Sequence, residues 1–260
     1  MRPLLLCSQR TPGGKLNIGI ITVAFNEKEL IVPCIKQFQG FNFPHLIMVS
    51  KKPWRGSYEM DETWALAKMA VNNGEVIVDE WPGQAEQFNE ALGIFEAEGI
   101  DWALIVDADE FYTPEDIGRL VGQIRSTEYD ALLATNMDVY WKTPDYKVIP
   151  DQWDYPVVAI KTSKRFKNKR HVEDNVITTN TEREITLHHM SYVRTHDQMM
   201  KKIETFEHSH EFNTDQWFYD IWTWWNPDAI NLHPTVPTKF GKAVYNPAPE
   251  ILRNLINWNS

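Results

Sequence analysis

Short apolar runs alternate with amphipathic stretches along the first half of the chain. The short runs are rich in Val and Ile, which is typical of strands buried on both faces of a parallel sheet; they cover residues 16–25, 46–49, 76–78 and 102–106. Between them, hydrophobic residues recur at helical spacing over residues 30–38, 63–71 and 85–98. A further helix is expected to begin at Thr113, an N-cap followed by Pro114 and by acids in the first turn. Residues 15–135 therefore predict an α/β fold with a mostly parallel central sheet flanked by helices.

The pattern changes beyond this region. Strands are favoured over residues 131–141, 156–162 and 185–193, and helices over residues 197–206 and 217–225. The last segment is dense in aromatic side chains, which can stack on sugar rings, although we interpret most of them as core; they are Trp217, Phe218, Tyr219, Trp222, Trp224 and Trp225. We expect residues 136–260 to form an α+β half that completes the site of the first half, within a single domain of residues 1–260.

Composition and charge narrow the class of protein. With 260 residues, the chain can bury a large core without staples, and its two cysteines, Cys7 and Cys34, exclude a disulfide scaffold and a Cys-rich zinc module. The net charge of −10 disfavours nucleic-acid phosphates and anionic membranes as partners. No apolar run reaches the ~20 residues of a membrane span, and the leucines at 4–6 are too few for a signal-peptide core. We expect a cytoplasmic protein with no transmembrane segment.

Three carboxylates follow the apolar strand at 102–106, and they are the most informative feature of the sequence. Asp107, Asp109 and Glu110 would repel one another at the end of a buried strand unless a positive charge lies between them. Oxygen ligands suit Mg²⁺ or Mn²⁺, which in turn neutralises a diphosphate. The alternative is a solvated loop with helix-capping acids, but Thr113 already supplies the cap. Phosphatases of the haloacid dehalogenase type also have Asp-x-Asp after a strand, but they have Thr or Val where Phe111 stands.

In their order along the chain, these segments resemble the GT-A glycosyltransferases, specifically family-2-like enzymes. The first strand ends in Asn26-Glu27, similar to the family's Thr/Ser-x-x-x-Asn-Glu, and Asn89 is similar to the asparagine that the family has ahead of its metal motif. Asp107-Ala108-Asp109 is similar to that motif. Residues 189–202 look like the family's His-x-Gly-Trp-Val-Arg…Met-x-x-Lys signature. The resemblance covers residues 16–210.

The resemblance implies an activity: metal-dependent transfer of a sugar from a nucleotide-diphosphate sugar, with a UDP-sugar favoured, to an acceptor hydroxyl, with inversion. Mn²⁺ or Mg²⁺ would be held by Asp107, Asp109 and His189, because the adjacent His188 points to the opposite face of a strand. Arg194 and Lys202 would hold the departing diphosphate, unless they are solvated helix charges. The donor site implied by the resemblance comprises Thr22, Ala24, Asn26, Glu27, Asp61, Asn89, Asp107, Ala108, Asp109, Arg194 and Lys202. Asp61 is included because Lys51-Lys52-Pro53-Trp54 stands where the family has acids that bind the base.

A general base is expected outside the nucleotide half, because an inverting displacement must take a proton from the acceptor hydroxyl. Asp174 is the first candidate, Glu173 the second and Asp138 the third. Asp174 could instead neutralise a preceding basic run of six residues between 161 and 170. We interpret that run as a solvated loop, with a phosphate-covering loop or a contact to a polyanionic acceptor as alternatives.

Two other classes of protein stay open. A nucleotidyltransferase on a related sheet would favour a Gly-rich basic loop after the first strand, where Ala24-Phe25-Asn26-Glu27 has no glycine. A non-catalytic carbohydrate-binding protein could use the tryptophans but would not need the clustered carboxylates. The acceptor is open among polysaccharide, lipid-linked sugar, protein and modified nucleic acid.

Overall fold

The computed structural model describes residues 16–54, 56–151, 155–205 and 209–257. In chain order the strands are β1 (Ile18–Ala24), β2 (His45–Ser50), β3 (Gly74–Asp79), β4 (Trp102–Asp107), β5 (Glu110–Phe111), β6 (Ala131–Leu133), β7 (Asn136–Trp141), β8 (Thr143–Ile149), β9 (Val157–Lys161), β10 (Phe166–Asn168), β11 (His171–Val172), β12 (Thr178–Asn180), β13 (Thr186–Tyr192) and β14 (Lys242–Tyr245). The α-helices are α1 (Ile31–Lys36), α2 (Thr63–Ala70), α3 (Gln84–Ala97), α4 (Pro114–Ser126), α5 (His196–Thr205), α6 (Thr214–Trp217) and α7 (Glu250–Ile256). In this part of the chain, no helix is long and apolar enough to cross a membrane.

The central sheet has seven strands in the order β12-β6-β9-β4-β1-β2-β3. Strand β1 pairs in parallel with both β2 and β4, and β2 pairs in parallel with β3, whereas β9 is antiparallel to its two neighbours. Ile20 of β1 lies in the core that includes α4, and Ile21 in the core that includes α3. Burial on both faces explains the unbroken apolar run of β1. The predicted α/β architecture with a mostly parallel, helix-flanked sheet is confirmed.

A second sheet of five strands, in the order β14-β8-β7-β13-β5, begins next to the carboxylates. The prediction of one strand over 131–141 was wrong: β6 belongs to the central sheet and β7 to the second sheet. The break lies at Thr135, whose hydroxyl and amide bond to Thr181 and not to a sheet neighbour. The chain changes sheets at this point, which the local sequence pattern does not reveal.

The aromatic segment forms core, although not as one α-helix. The predicted helix over 217–225 is observed as α6 followed by a π-helical turn over Phe218–Thr223. Trp217 packs edge-on against Trp141 of the second sheet, with ring centroids 6.0 Å apart, and Trp222 stacks on Phe218 at 5.4 Å. Tyr219 and Trp224 are the exceptions, with 48% and 75% of their surfaces exposed.

The basic run between residues 161 and 170 is not the solvated loop that we expected, because most of its cations have acidic partners. It extends from the end of β9 through β10 into the turn of the β10–β11 hairpin. Lys161 and Lys164 bind Asp130, Arg165 binds Glu96, and Arg170 reaches the carboxylates at the end of β4. The charges therefore satisfy local acids.

Candidate active site

A pocket opens where β1 and β4 end, the edge at which open α/β sheets bind ligands. Seven of the predicted site residues line it: Ala24, Glu27, Asp107, Ala108, Asp109, His189 and Lys202. They come from the ends of β1 and β4 and the segments that follow these strands, from β13 and from α5. The sequence halves 15–135 and 136–260 therefore both contribute to one pocket.

Asp109 is the centre of a buried charge network. Its Oδ2 accepts hydrogen bonds from Lys202 Nζ at 2.6 Å and from Arg194 Nη2 at 3.0 Å, and its Oδ1 lies 3.3 Å from His189 Nε2. Arg194 also binds both carboxylate oxygens of Glu27, at 2.9 and 2.7 Å. Burial alone would raise the pKa of Asp109, but Lys202 and His189 hold it well below its usual range. Asp109 is therefore an anion at neutral pH.

Asp107 is in a less cationic environment. Gln84 Nε2 lies 3.4 Å from each of its oxygens, and Arg170 Nη1 lies 3.4 Å from Oδ2. Burial raises the pKa of Asp107 to about 7, although Arg170 lowers it. Two carboxylates two residues apart thus differ in proton affinity, because Asp109 has the closer cations.

Arg170 forms ion pairs with the carboxylates at the end of β4, and its side chain is only 10% exposed. It forms an ion pair with buried Glu110 and donates to the carbonyl oxygens of Ile105 and Val157. Glu110 in turn accepts a hydrogen bond from the Asp107 backbone amide at 2.9 Å. Nothing in the sequence distinguishes Arg170 within a run of six cations, so it was not predicted as a site residue.

The two adjacent histidines have different partners, as strand alternation predicts. His189 lies in the pocket beside Asp109. His188 is buried on the other side, where its Nδ1 lies 3.1 Å from the Tyr140 hydroxyl. Burial alone would lower the pKa of His189, but the Asp109 carboxylate raises it above its usual value. Only His189 is placed to meet a ligand.

Thr22 does not line the pocket. It is fully buried in β1, and its hydroxyl lies 2.8 Å from Nε2 of His45 on the neighbouring strand β2. Asn89 also lies outside the pocket lining: its amide makes two 2.8 Å hydrogen bonds with the backbone of Phe166, which hold the β10–β11 hairpin against α3. Both residues support the pocket through the elements that they join.

Asn26 and Asp61 do not line the pocket, and the Asn26 side chain instead binds the backbone next to Asp61. The Asn26 amide donates to the Glu59 carbonyl oxygen at 3.1 Å and accepts from the Asp61 backbone N–H at 2.8 Å. The Asp61 carboxylate accepts hydrogen bonds from the amide and the hydroxyl of Thr63. Neither residue is in the lining of the pocket.

The three candidate bases also lie outside the pocket lining. Asp174 is exposed and binds Lys167 Nζ at 3.0 and 3.1 Å, and Glu173 is exposed next to it. Asp138 binds Lys147 at 2.6 Å. The structure does not bring any of them to the carboxylate cluster.

Several residues that were not predicted as site residues also line the pocket. Gln84, at the start of α3, reaches Asp107, and the segment after β2 contributes a basic and aromatic wall. The complete set of additional lining residues is Val23, Phe25, Lys52, Pro53, Trp54, Gln84, Ser191 and Thr205. Gln84 has no sequence signal, since amides are common on helix surfaces.

The donor atoms in the pocket suit a divalent cation. Asp107, Asp109 and His189 offer carboxylate oxygens and an imidazole, which Mn²⁺ accepts. The 3.3 Å between Asp109 Oδ1 and His189 Nε2 is close to the about 3 Å expected between neighbouring ligands that each lie about 2.1 Å from one ion. Within the described ranges, however, no three His, Cys, Asp or Glu side chains already converge as a metal site. The side chains therefore fit the ion in chemistry and would have to reorient around it.

The part of the chain that forms most of this pocket matches a known protein family. The family described as "Glycosyl transferase family 2" matches residues 19–191, from β1 into β13. A comparison of the sequence with curated proteins finds no match. The matched range contains Asp107, Asp109 and His189.

Solved structures with a similar chain path include two enzymes with bound ligands. A mannosyltransferase from Pyrobaculum calidifontis, in complex with GDP-Man and Mn²⁺, is 13% identical; the alignment covers 77% of this chain and 66% of that chain, with a TM-score of 0.48. Glucosyl-3-phosphoglycerate synthase from Mycobacterium tuberculosis, in complex with Mn²⁺, UDP and glucosyl-3-phosphoglycerate, is 15% identical; the alignment covers 74% of this chain and 81% of that chain, with a TM-score of 0.46.

Proposed function

This chain belongs to glycosyl transferase family 2 and is a glycosyltransferase, and from that premise we propose that it moves a sugar from a nucleotide-diphosphate sugar to an acceptor hydroxyl, with a divalent metal and with inversion. The observation that carries the proposal is the pocket at the end of β4, where Asp107, Asp109 and His189 lie together. We propose that these three side chains hold Mn²⁺ or Mg²⁺. A metal in that position would stabilise the negative charge that develops on the leaving diphosphate.

The cations of the pocket have separate tasks in this proposal. Lys202 lines the pocket and is 27% exposed, so its ammonium can turn from Asp109 toward a phosphate oxygen. Arg194 is only 4% exposed and is already bound to Glu27 and Asp109, so it fixes the two carboxylates in place. Ala24 has a small side chain at the end of β1, which leaves room for the donor.

The two sequence halves divide the substrates in this proposal. Residues 15–135 bind the donor, and residues 136–260 supply the acceptor side and, through β13 and α5, His189 and Lys202. The general base stays a prediction: Asp174 and Glu173 are exposed beside the hairpin, and their positions do not support the assignment.

Replacing Asp107 tests the metal and donor site. We expect Asp107→Asn to lower both Mn²⁺-dependent nucleotide binding and sugar transfer by at least ~100-fold, because one carboxylate ligand and its charge are lost. Asp79→Asn is the matched control, since Asp79 also ends a parallel strand, β3, but is exposed and does not line the pocket. Isothermal titration with UDP or GDP plus Mn²⁺ measures binding.

Turnover of UDP-Glc, UDP-GlcNAc and GDP-Man, with and without EDTA, measures the activity. Undiminished turnover of the wild-type protein in EDTA would contradict the metal proposal. Turnover of UTP or ATP with a sugar phosphate, and of none of the nucleotide sugars, would instead support the nucleotidyltransferase. Binding of glycans with no turnover at all would support the carbohydrate-binding protein.

A further inference from the structure

One wall of the pocket is a segment without regular structure. The wall segment, defined here as residues 51–54 and 56–61, follows β2 and leads to α2. Lys52, Pro53 and Trp54 of this segment line the pocket. An irregular segment has no ladder of backbone hydrogen bonds of its own. Contacts from other parts of the chain must therefore keep its backbone in place if it is to form a wall of the pocket.

Asn26, which follows β1, holds the backbone of the wall segment through hydrogen bonds. Its Nδ2 donates to the Glu59 carbonyl oxygen at 3.1 Å, and its Oδ1 accepts from the Asp61 N–H at 2.8 Å. The next residue in the chain adds a third bond, from the Glu27 N–H to the hydroxyl of Thr63 at the start of α2, at 2.8 Å. One amide therefore binds two backbone groups of the wall segment, on either side of residue 60.

The backbone of Asn26 is in a conformation that suits this task. Its φ of +53° lies in the left-handed region, which asparagine enters more readily than most residues. Asn26 lies two residues after the end of β1. Asparagine therefore suits this position both in its backbone conformation and in its amide.

The wall segment has a second anchor on α5. The Tyr58 hydroxyl donates a hydrogen bond to the Glu204 carboxylate. Gly56 has a φ of +72°, and a β-carbon at this position would lie 3.2 Å from the Glu204 carbonyl oxygen. The segment is therefore held from both sides, by β1 and by the helix that carries Lys202.

We propose that Asn26 is a positioning residue, whose amide holds the wall segment so that Trp54 and Lys52 form the wall of the donor pocket. This inference rests on the proposed function in one respect, namely that the pocket binds a nucleotide diphosphate. It assigns Asn26 to the protein's own backbone, in contrast to the direct donor contact that the sequence resemblance implies.

The variant Asn26→Gly tests the inference, because glycine accepts the left-handed backbone and removes only the amide. We expect the Kd for UDP or GDP with Mn²⁺ to rise about tenfold, because a wall segment that has lost two hydrogen bonds must be ordered when the nucleotide binds. The matched control is Asn42→Gly, since Asn42 has a φ of +50° on a turn away from this pocket. Tyr58→Phe releases the other anchor and should weaken binding in the same direction.

Amide hydrogen exchange provides a readout that needs no ligand. Exchange over residues 56–61 should become faster in Asn26→Gly and stay unchanged in Asn42→Gly. Equal nucleotide affinity and equal exchange in Asn26→Gly and wild type would overturn the inference. If the wild-type protein binds neither UDP nor GDP, the proposed function fails instead, and the exchange result still decides the role of Asn26.

Discussion

His45 illustrates, at the scale of a single residue, how burial sets chemistry. It lies within the central sheet, its ring faces Phe38 edge-on at 5.8 Å, and its Nε2 lies 2.8 Å from the Thr22 hydroxyl. Desolvation by burial lowers the pKa of His45 to about 3. The folded protein therefore holds this imidazole neutral.

His45 should make stability fall in acid. Because the folded pKa of about 3 lies below the unfolded value of 6.5, the contribution to stability is complete above pH 6.5. It is then lost as the pH falls toward 3, by about 1.4 kcal/mol per pH unit from this group. Urea unfolding at pH 7, 6 and 5 measures the slope, and His45→Gln should have a shallower one. Parallel slopes for the two proteins would contradict the buried neutral state.

Some site residues can be predicted from the residues next to them in the sequence, whereas the contacts of others depend on partners that are distant in the sequence. Asp107 and Asp109 could be predicted because an apolar strand that ends in acids has few explanations. Thr22 and Asn26 occupy motif positions but bind His45 and the wall segment, partners 23 residues away or more. A linear motif does not encode such partners.

Arg170 shows, at the scale of an element, what the β10–β11 hairpin contributes. We expect Arg170→Ala to lower the free energy of unfolding by about 3–5 kcal/mol, because it leaves the buried carboxylate of Glu110 without its partner. Arg165→Ala, on the same basic run, removes an exposed pair with Glu96 and should change it by about 0–1 kcal/mol. Chemical denaturation of both variants makes the comparison, and similar losses would contradict the supporting role of Arg170.

The aromatic segment can be tested as an element in the same way. Trp217 is 6% exposed, and its indole N–H donates to the Leu232 carbonyl oxygen at 3.0 Å. We expect Trp217→Ala to lower the free energy of unfolding by about 3–5 kcal/mol. Trp224→Ala, at 75% exposure, should change it by less than about 0.5 kcal/mol. Thermal unfolding of the two variants checks this, and a large loss at Trp224 would show that it, too, is part of the core.

The two sheets differ, at the scale of the whole molecule, in how far the sequence predicts them. The parallel sheet follows from strands and helices that alternate along the chain, so local patterns suffice. The second sheet joins strands that are distant in sequence: Lys242 of β14 lies opposite Ile149 of β8, and Thr186 of β13 opposite Asn136 of β7. Strand β8 begins with Thr143-Pro144-Asp145, residues typical of a turn, and β14 has only four residues, which is why neither strand was predicted.

The connection from β4 of the central sheet to β5 of the second sheet is very short. Strand β4 ends at Asp107 and β5 begins at Glu110, so Ala108 and Asp109 alone connect them. Glu110 is in register with His189 across the β5–β13 pair, and the Met190 amide donates to the Asp109 carbonyl oxygen at 2.8 Å. One residue inserted here would turn the alternation of β5 over and shift the carboxylates against the imidazole. The number of residues between Asp107 and Glu110 is therefore part of the geometry of the site, because it sets how the carboxylates face the imidazole.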